Sequence, residues 1–352
     1  MNRFKTKTVK IGKLKVGGAN PIRIKAMLKT PTRDVRNLVK ELRQLDTEGA
    51  EAVRLAVRVA EDAKLISTLR KQTKLPFVAD IHFDYRLALA AIDQGFDAIR
   101  LNPLNISKPK EVKEVIRAAK ANRISIRVGV NSGGFKRKFA TPTKLAQAMV
   151  KSCENYLKLF EAEAFFDLMF SLKGSSVTST VQANKLFAKK YNYPLHLGVT
   201  ATGPFLEGTV KSSVGLGALL NEGIGDIIRV SLTAPSFWEV RIAKQILQAL
   251  NLRRFGPEII SCPTCSRCEV NLIDIVDKFK KRLEKAKVEE PLEIALMGCV
   301  VNGPGEARQA DIGAAFGKNK AVIFKGDKIL KRTSQGKVID DLLRGVTGHG
   351  SR

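Results

Sequence analysis

Two groups of residues in this 352-residue chain have types and spacings that can do chemistry. The first is a set of arginines, each set between apolar neighbours: Val53-Arg54-Leu55, Ile99-Arg100-Leu101, Ile126-Arg127-Val128 and Ile228-Arg229-Val230. Side chains alternate faces along a strand. If the apolar neighbours face covering helices, each arginine faces the other way, into the interior of a sheet. Lys173, after Phe170-Ser171-Leu172, adds a fifth cation, and Asp80 in Ala79-Asp80-Ile81-His82 is the visible inward anion. Unpaired buried charge is very costly. One carboxylate does not balance five cations, so a ligand carrying phosphates is expected at this place, where arginine binds bidentately. The competing reading pairs the arginines with carboxylates on loops. Asp80 and His82 share a phase with the cations and are the catalytic candidates. Asn102, Asn131, Thr200 and Ser231 close other apolar runs and bring further polar groups to the same end.

The second group is cysteine. Cys262-Pro263-Thr264-Cys265 is a C-x-x-C, Cys268 follows, and Cys299 precedes the turn Asn302-Gly303-Pro304-Gly305 with Glu306 beyond it. Such a cluster reads as metal or redox chemistry in a cytosolic chain. Spacing leaves two choices open. Zinc would use a closed four-thiolate site that includes Cys268. An iron–sulfur cluster would use the glycine-rich turn, whose backbone N–H groups can approach sulfur, and Glu306 as a displaceable ligand. Cys153 stands alone in a helix-like stretch and reads as packing.

Eight short apolar runs carry the first group: Pro21–Met27, Ala52–Val57, Pro76–Ile81, Ala98–Asn102, Ile124–Val130, Phe166–Leu172, Pro194–Thr200 and Asp226–Leu232. Helical patterns separate them, among them Asp34–Thr47, Glu61–Gln72, Tyr85–Gln94, Pro109–Ala121 and Thr143–Phe160. Strict alternation of this kind predicts a (β/α)₈ TIM barrel, with polar residues at its C-terminal mouth. A hairpin in Met1–Asn20 is expected to plug the other end. From Arg253 the composition changes, and a small α/β domain of strands, the helix Asn271–Ala286 and a terminal helix Lys337–Arg344 is expected. The domains are placed at residues 1–255 (barrel, substrate) and 256–352 (cluster).

Hydrophobic residues make up 44% and charged residues 27%, which belongs to a folded globular chain. The longest apolar run, Ile294–Val301, is far short of a membrane span. Met1–Gly18 is basic but lacks an apolar core, so it does not read as a secretory signal, and the cytoplasm is expected. A net charge of +27 suggests polyanionic partners, but aromatic residues are only 6%, too few for base-stacking platforms. Nucleic-acid binding is therefore not expected as the main task.

These motifs resemble a known family. Ala79-Asp80-Ile81-His82-Phe83-Asp84, Val128-Gly129-Val130-Asn131-Ser132-Gly133 and His196-Leu197-Gly198-Val199-Thr200 are similar to those of 4-hydroxy-3-methylbut-2-en-1-yl diphosphate synthases, iron–sulfur enzymes of the non-mevalonate isoprenoid pathway. So are Gly223-Ile224-Gly225-Asp226, Arg229-Val230-Ser231-Leu232, Cys262-Pro263-Thr264-Cys265-Ser266-Arg267 and Gly298-Cys299-Val300-Val301-Asn302-Gly303-Pro304-Gly305-Glu306-Ala307. The resemblance runs nearly end to end. It implies a head-to-tail homodimer in which the cluster domain of one subunit caps the barrel of the other. It implies a cyclic diphosphate of 2-C-methylerythritol as substrate, opened and dehydroxylated by two electrons from ferredoxin or flavodoxin. It implies a 4Fe–4S cluster held by Cys262, Cys265, Cys299 and Glu306, with Glu306 also catalytic. Arg54, His82, Arg100, Arg127, Asn131, Lys173, Arg229 and Ser231 would line the diphosphate site.

Three departures touch the expected mouth. Ala201 stands where the family usually has glutamate, thought to take part in proton transfer. Lys25-Ala26-Met27-Leu28 stands where it usually reads Gln-Ser-Met-Thr, and Leu104 and Ser107 replace two glycines. Cys268 is not a usual family ligand. A divergent relative with another substrate or reduced activity is the second reading, and a zinc-stabilised basic protein that binds nucleic acid is the third.

Overall fold

The computed structural model describes residues 3–299 and 307–347. The chain divides into two compact units, Met1–Arg253 and Arg254–Arg352. Among the described residues no helix is long and apolar enough to cross a membrane.

In the first unit a hairpin, β1 (Val9–Ile11) and β2 (Leu14–Val16), precedes eight parallel strands. These are β3 (Arg23–Met27), β4 (Ala52–Val57), β5 (Phe77–Ile81), β6 (Ala98–Leu101), β7 (Ser125–Asn131), β8 (Leu168–Lys173), β9 (His196–Leu197) and β10 (Ile227–Ile228). Their order around the sheet is β8-β7-β6-β5-β4-β3-β10-β9. A single parallel bridge, Phe170 with Leu195, joins β8 to the segment that leads into β9 and closes the barrel. The expected TIM barrel is present.

The helices follow from apolar spacing and caps. In α1 (Val35–Thr47), Leu38, Leu42 and Leu45 share one buried face, and Asp34 caps the start by accepting the Asn37 N–H at 3.2 Å. In α5 (Pro109–Ala121) a proline opens the helix and Val112, Val115, Ile116 and Ala119 are buried. The long helix α6 (Pro142–Ala162) is capped by Thr141 and buries Cys153, whose thiol is pushed up by burial, as a packing residue would be. The remaining barrel helices are α4 (Tyr85–Asp93), α7 (Val177–Lys190), α8 (Phe205–Leu220) and α9 (Ser236–Ala249). One expected helix, Glu61–Gln72, is instead two short ones, α2 (Ala60–Lys64) and α3 (Ile66–Arg70). The break falls at Leu65, whose carbonyl accepts the Thr68 N–H, and Ala63, Ile66 and Leu69 on either side of it are buried.

The lower interior of the barrel is apolar. Val78, Ala98, Met169 and Ile227, one from each of four strands, form a cluster with Val9, Ile11 and Val16 of the hairpin. The hairpin is the expected plug. These contacts fix the phase of each strand, because residues two positions further on must also point inward. Those residues are Asp80, Arg100, Ser171 and Arg229.

The second unit is a five-stranded sheet with order β11-β12-β13-β14-β15. Its strands are β11 (Glu258–Ser261), β12 (Glu293–Met297), β13 (Ile312–Gly317), β14 (Lys320–Lys325) and β15 (Lys328–Ser334). The first three are parallel and the last two antiparallel. Helix α10 (Leu272–Ala286) lays Leu272, Ile275, Phe279 and Leu283 on Ile294, Leu296, Ile312 and Phe316. Helix α11 (Val338–Thr347) adds Leu342 and Val346 to the same core. Strand β15 was not expected from sequence; it is an edge strand exposed along almost its whole length, without the alternation that marks a half-buried strand.

Candidate active site

Every wall of the barrel contributes an inward ionisable side chain. They are Lys25 from β3, Arg54 from β4, Asp80 from β5, Arg100 from β6, Arg127 from β7, Lys173 from β8, His196 from β9, and Arg229 immediately after β10. Register supports the ring: Asp80 lies beside Arg100, and Arg100 beside Arg127. Six of the eight are basic residues of the lysine or arginine type. Lys25 and Arg127 are each 2% exposed and Arg100 3%.

Two glycines make room for these long side chains. A Cβ on Gly129 would lie 2.6 Å from Arg100 Nε and 3.0 Å from Ser171 Oγ. Arg100 Nη2 instead donates to the Gly129 carbonyl at 2.7 Å. A Cβ on Gly198 would lie 2.6 Å from Lys173 Nζ, which donates to the Leu197 carbonyl at 3.0 Å. Gly198 also ends β9 early, which is why the expected strand Pro194–Thr200 is regular only over His196–Leu197.

The carboxylates are few. Asp80 Oδ2 is 3.7 Å from Arg54 Nε and Oδ1 is 3.5 Å from Arg100 Nη1. His82 Nε2 lies 3.2 Å from Asp80 Oδ2, with the His82 side chain 44% exposed toward solvent. Burial alone would raise the Asp80 pKa. Arg54, the hydrogen bond from His82 and Arg100 outweigh it and hold the carboxyl well below the usual range. Asp80 is therefore ionised and can only accept, so His82 carries its proton on Nε2.

Sequence reasoning missed the second carboxylate. Glu239, in the first turns of α9, reaches Arg229 with both oxygens at 3.1–3.2 Å. It also accepts the Leu232 N–H at 2.9 Å and pairs with Lys29 at 2.8 Å. The expectation of five cations against one anion is corrected to six against two. Of the four strand arginines, Arg229 alone among the described residues pairs with a carboxylate outside the strands, and that carboxylate sits on α9.

The imbalance remains. Lys25, Arg127 and Lys173 make no ion pair with a carboxylate among the described residues. Arg127 donates Nη1 to Ser171 Oγ at 2.8 Å, while its Nε and Nη2 are buried without a partner among the described residues. Burial, followed by the repulsion of neighbouring cations, lowers the pKa of Lys25, Lys173 and Arg127 well below their ordinary values. His196 is lowered in the same way, first by burial and then by Lys173 and Lys25, so it is neutral and lies 3.3 Å from Lys173 Nζ. Lys25 and His196 were not singled out as site residues from sequence. A charge between apolar neighbours was the available signal, and Ile24-Lys25-Ala26 carries it.

Around the rim, Asn131 at the end of β7 pairs in register with Lys173. Ser231 follows Arg229, and its carbonyl accepts a hydrogen bond from the Thr202 hydroxyl. Ala201 is exposed and left-handed, with φ +51°. Glu207, another carboxylate near it in sequence, is exposed in the first turn of α8.

In the second unit, Cys262 follows β11 and accepts the Gly298 N–H at Sγ, 3.2 Å away. A Cβ on Gly298 would lie 3.4 Å from that sulfur and would collide with Cys268 Sγ. Cys268 Sγ is 3.2 Å from the Val270 carbonyl. Cys265 is exposed and Cys299 half-buried. Among the described residues no three histidine, cysteine or acidic side chains are grouped to hold a metal ion. Glu306 lies outside the described residues.

Residues 6–244 match the GcpE TIM-barrel domain and residues 258–347 the GcpE protein C-terminal domain. The chain belongs to the GcpE family. Relatives named 4-hydroxy-3-methylbut-2-en-1-yl diphosphate synthase (flavodoxin) align along nearly all of this chain. The one from Thermodesulfovibrio yellowstonii is 45% identical over 98% of this chain and 99% of its own. The one from Lawsonia intracellularis is 47% identical over 98% and 96%. Among solved structures, a type I 3-dehydroquinate dehydratase from Clostridium difficile has a TM-score of 0.52 at 12% identity, over 70% of this chain and 98% of that one. A dihydropteroate synthase from Stenotrophomonas maltophilia has a TM-score of 0.52 at 15% identity, over 69% and 99%. At such identities the likeness is one of fold alone.

Proposed function

We propose that this GcpE-family chain is the oxidoreductase that converts 2-C-methyl-D-erythritol 2,4-cyclodiphosphate to 4-hydroxy-3-methylbut-2-en-1-yl diphosphate. The observation that carries the reading is the cationic interior, in which Arg127 and Lys173 are buried without a carboxylate partner among the described residues. A diphosphate supplies the missing negative charge and the oxygens that a guanidinium binds in pairs. Arg54, Arg100, Arg127, Lys173 and Arg229 take the phosphoryl oxygens, with Asn131 and Ser231 at the rim.

The reaction takes up two electrons and one proton. The ring C–O bond breaks, and a hydroxyl leaves as water. Asp80 holds the partly exposed His82 ring through Nε2, which leaves Nδ1 to hold or pass a proton.

Cys262, Cys265, Cys299 and Glu306 would hold a 4Fe–4S cluster. The donors present fit: thiols suit iron, and the Gly298 N–H already points at the Cys262 sulfur in a space that excludes a side chain. Once bound, the cluster supplies the electrons singly. The donor is flavodoxin or ferredoxin, the assembly a head-to-tail homodimer, and the location cytoplasmic.

Two measurements test this. Anaerobically purified protein should contain iron and sulfide in equal amounts; stoichiometric zinc in their place would contradict the cluster. Arg127→Ala should weaken binding of the cyclic diphosphate by about 1.5–3 kcal/mol, the worth of a charge-assisted contact. Unchanged affinity in a folded variant would remove Arg127 from the site.

A further inference from the structure

We propose that Lys25 is a further ligand for the substrate's phosphoryl oxygens, closing the ring of cations from the wall opposite Arg127. The inference deepens the function proposed above and rests on it.

Lys25 lies on β3 and Arg127 on β7, four strands apart in a barrel of eight. Strands at that separation face each other across the barrel axis. Ile227 and Met169 point into the barrel interior, and Arg23 and Arg127 pair with them in register. Lys25, two residues after Arg23, and Arg127 are therefore both buried in that interior, from opposite walls. Ile24 pairs with Ile228, which places Lys25 level with Arg229 on the adjoining wall. His196, from β9, completes the surroundings as a neutral ring.

Nothing in this environment explains a lysine. It is 2% exposed, has no hydrogen-bond or ion-pair partner among the described residues, and feels attraction only from Asp80, which is already shared by Arg54 and Arg100. A buried ammonium among cations opposes folding. A methionine or leucine would pack there without that cost. The charge is useful only when a multivalent anion occupies the middle of the ring. Arg100, Arg127 and Lys173 line one side of the barrel, and Arg54 and Arg229 the other. An ammonium on β3, between Arg54 on β4 and Arg229 after β10, completes the second side, so that a diphosphate is gripped from both. The ligand class is thus a compact anion with two phosphoryl groups.

The prediction has two readouts of opposite sign. Binding of inorganic pyrophosphate and of the cyclic diphosphate to the full chain is measured by calorimetry for wild type, Lys25→Met, Lys25→Gln and Arg127→Ala. Unliganded melting temperatures are measured alongside. Both Lys25 variants should bind about 10- to 100-fold more weakly. Without ligand, Lys25→Met should melt about 2–4 °C higher. Undiminished affinity in both Lys25 variants, with affinity lost in Arg127→Ala, overturns the role of Lys25 and leaves the proposed function standing. Undiminished affinity in all three overturns the anion site itself. A Lys25→Met protein that melts lower, or does not fold, also overturns the inference, since Lys25 would then belong to the framework.

Discussion

Glu239 holds Arg229 from behind: both carboxylate oxygens of a residue on α9 lie 3.1–3.2 Å from the guanidinium of a residue at the end of a barrel strand. The same carboxylate receives the Leu232 N–H and Lys29 Nζ. It thereby ties the loop carrying Ser231 to the outer helix and to the loop after β3. Arg229 keeps a fixed direction and still has an open side.

Glu239→Gln should remove the charge and leave a buried guanidinium without its partner. Breaking a buried pair from one side typically costs about 3–5 kcal/mol, and Glu239 is 2% exposed. Urea unfolding should show a loss of that order, and KM for the cyclic diphosphate should rise. A variant within about 0.5 kcal/mol of wild type would show that the pair carries no structural load.

Asp80 predicts a pH dependence. Its folded pKa is depressed, so its contribution to stability is fully present above the unfolded value near 4 and is lost as pH falls below it. Asp80→Asn should be less stable than wild type at pH 7. The gap should narrow as pH is lowered from about 5 toward 2, because wild-type Asp80 then pays an increasing cost to remain charged. A gap that is constant over this range would mean that Asp80 is not the ionised partner of Arg54 and Arg100.

The two predictions draw on residues of different legibility. Asp80 and the four arginines could be read from sequence because strand geometry alternates faces and each stands between apolar neighbours. Lys25 follows the same rule, but its neighbours Ile24 and Ala26 give a weaker apolar signal, and Arg23 two positions earlier blurs it. Glu239 could not be read that way. It comes ten residues after Arg229 on a helix, and strand periodicity says nothing about which helical carboxylate turns back to the sheet. The same limit hid β15, whose residues Lys328–Ser334 are exposed on both faces. The cysteine motif was legible; the proposed ligand set includes Glu306, which lies outside the described residues.

Cys299→Ser and Cys268→Ser should separate ligand from neighbour. Cys268 packs beside Cys262 and Gly298 and lies near the Val270 carbonyl, a place that packing alone explains. Iron should be lost in the Cys299 variant and retained in the Cys268 variant, read by iron content and visible absorption. Loss of iron in the Cys268 variant would replace the proposed ligands with a local C-x-x-C-x-x-C set.

Ala201 bears on rate. It is exposed at φ +51°, and because it already carries a Cβ, a longer side chain adds no new backbone strain. A positioned acid contributes about 10²–10⁴-fold to such a proton transfer. Ala201→Glu should therefore raise kcat with iron content and substrate affinity little changed. A variant no faster than wild type would assign the proton to another group, His82 first.

In the proposed function a cationic barrel and a thiol-held cluster act together on a cyclic diphosphate. A single turnover of cluster-loaded, chemically reduced protein with 2-C-methyl-D-erythritol 2,4-cyclodiphosphate, followed by phosphorus NMR and mass spectrometry, tests this. The cyclic phosphorus signals should be replaced by those of a linear diphosphate identified as 4-hydroxy-3-methylbut-2-en-1-yl diphosphate, with two electrons consumed per molecule. Unchanged cyclic diphosphate, in a protein shown to carry the cluster and to bind the substrate, would contradict it.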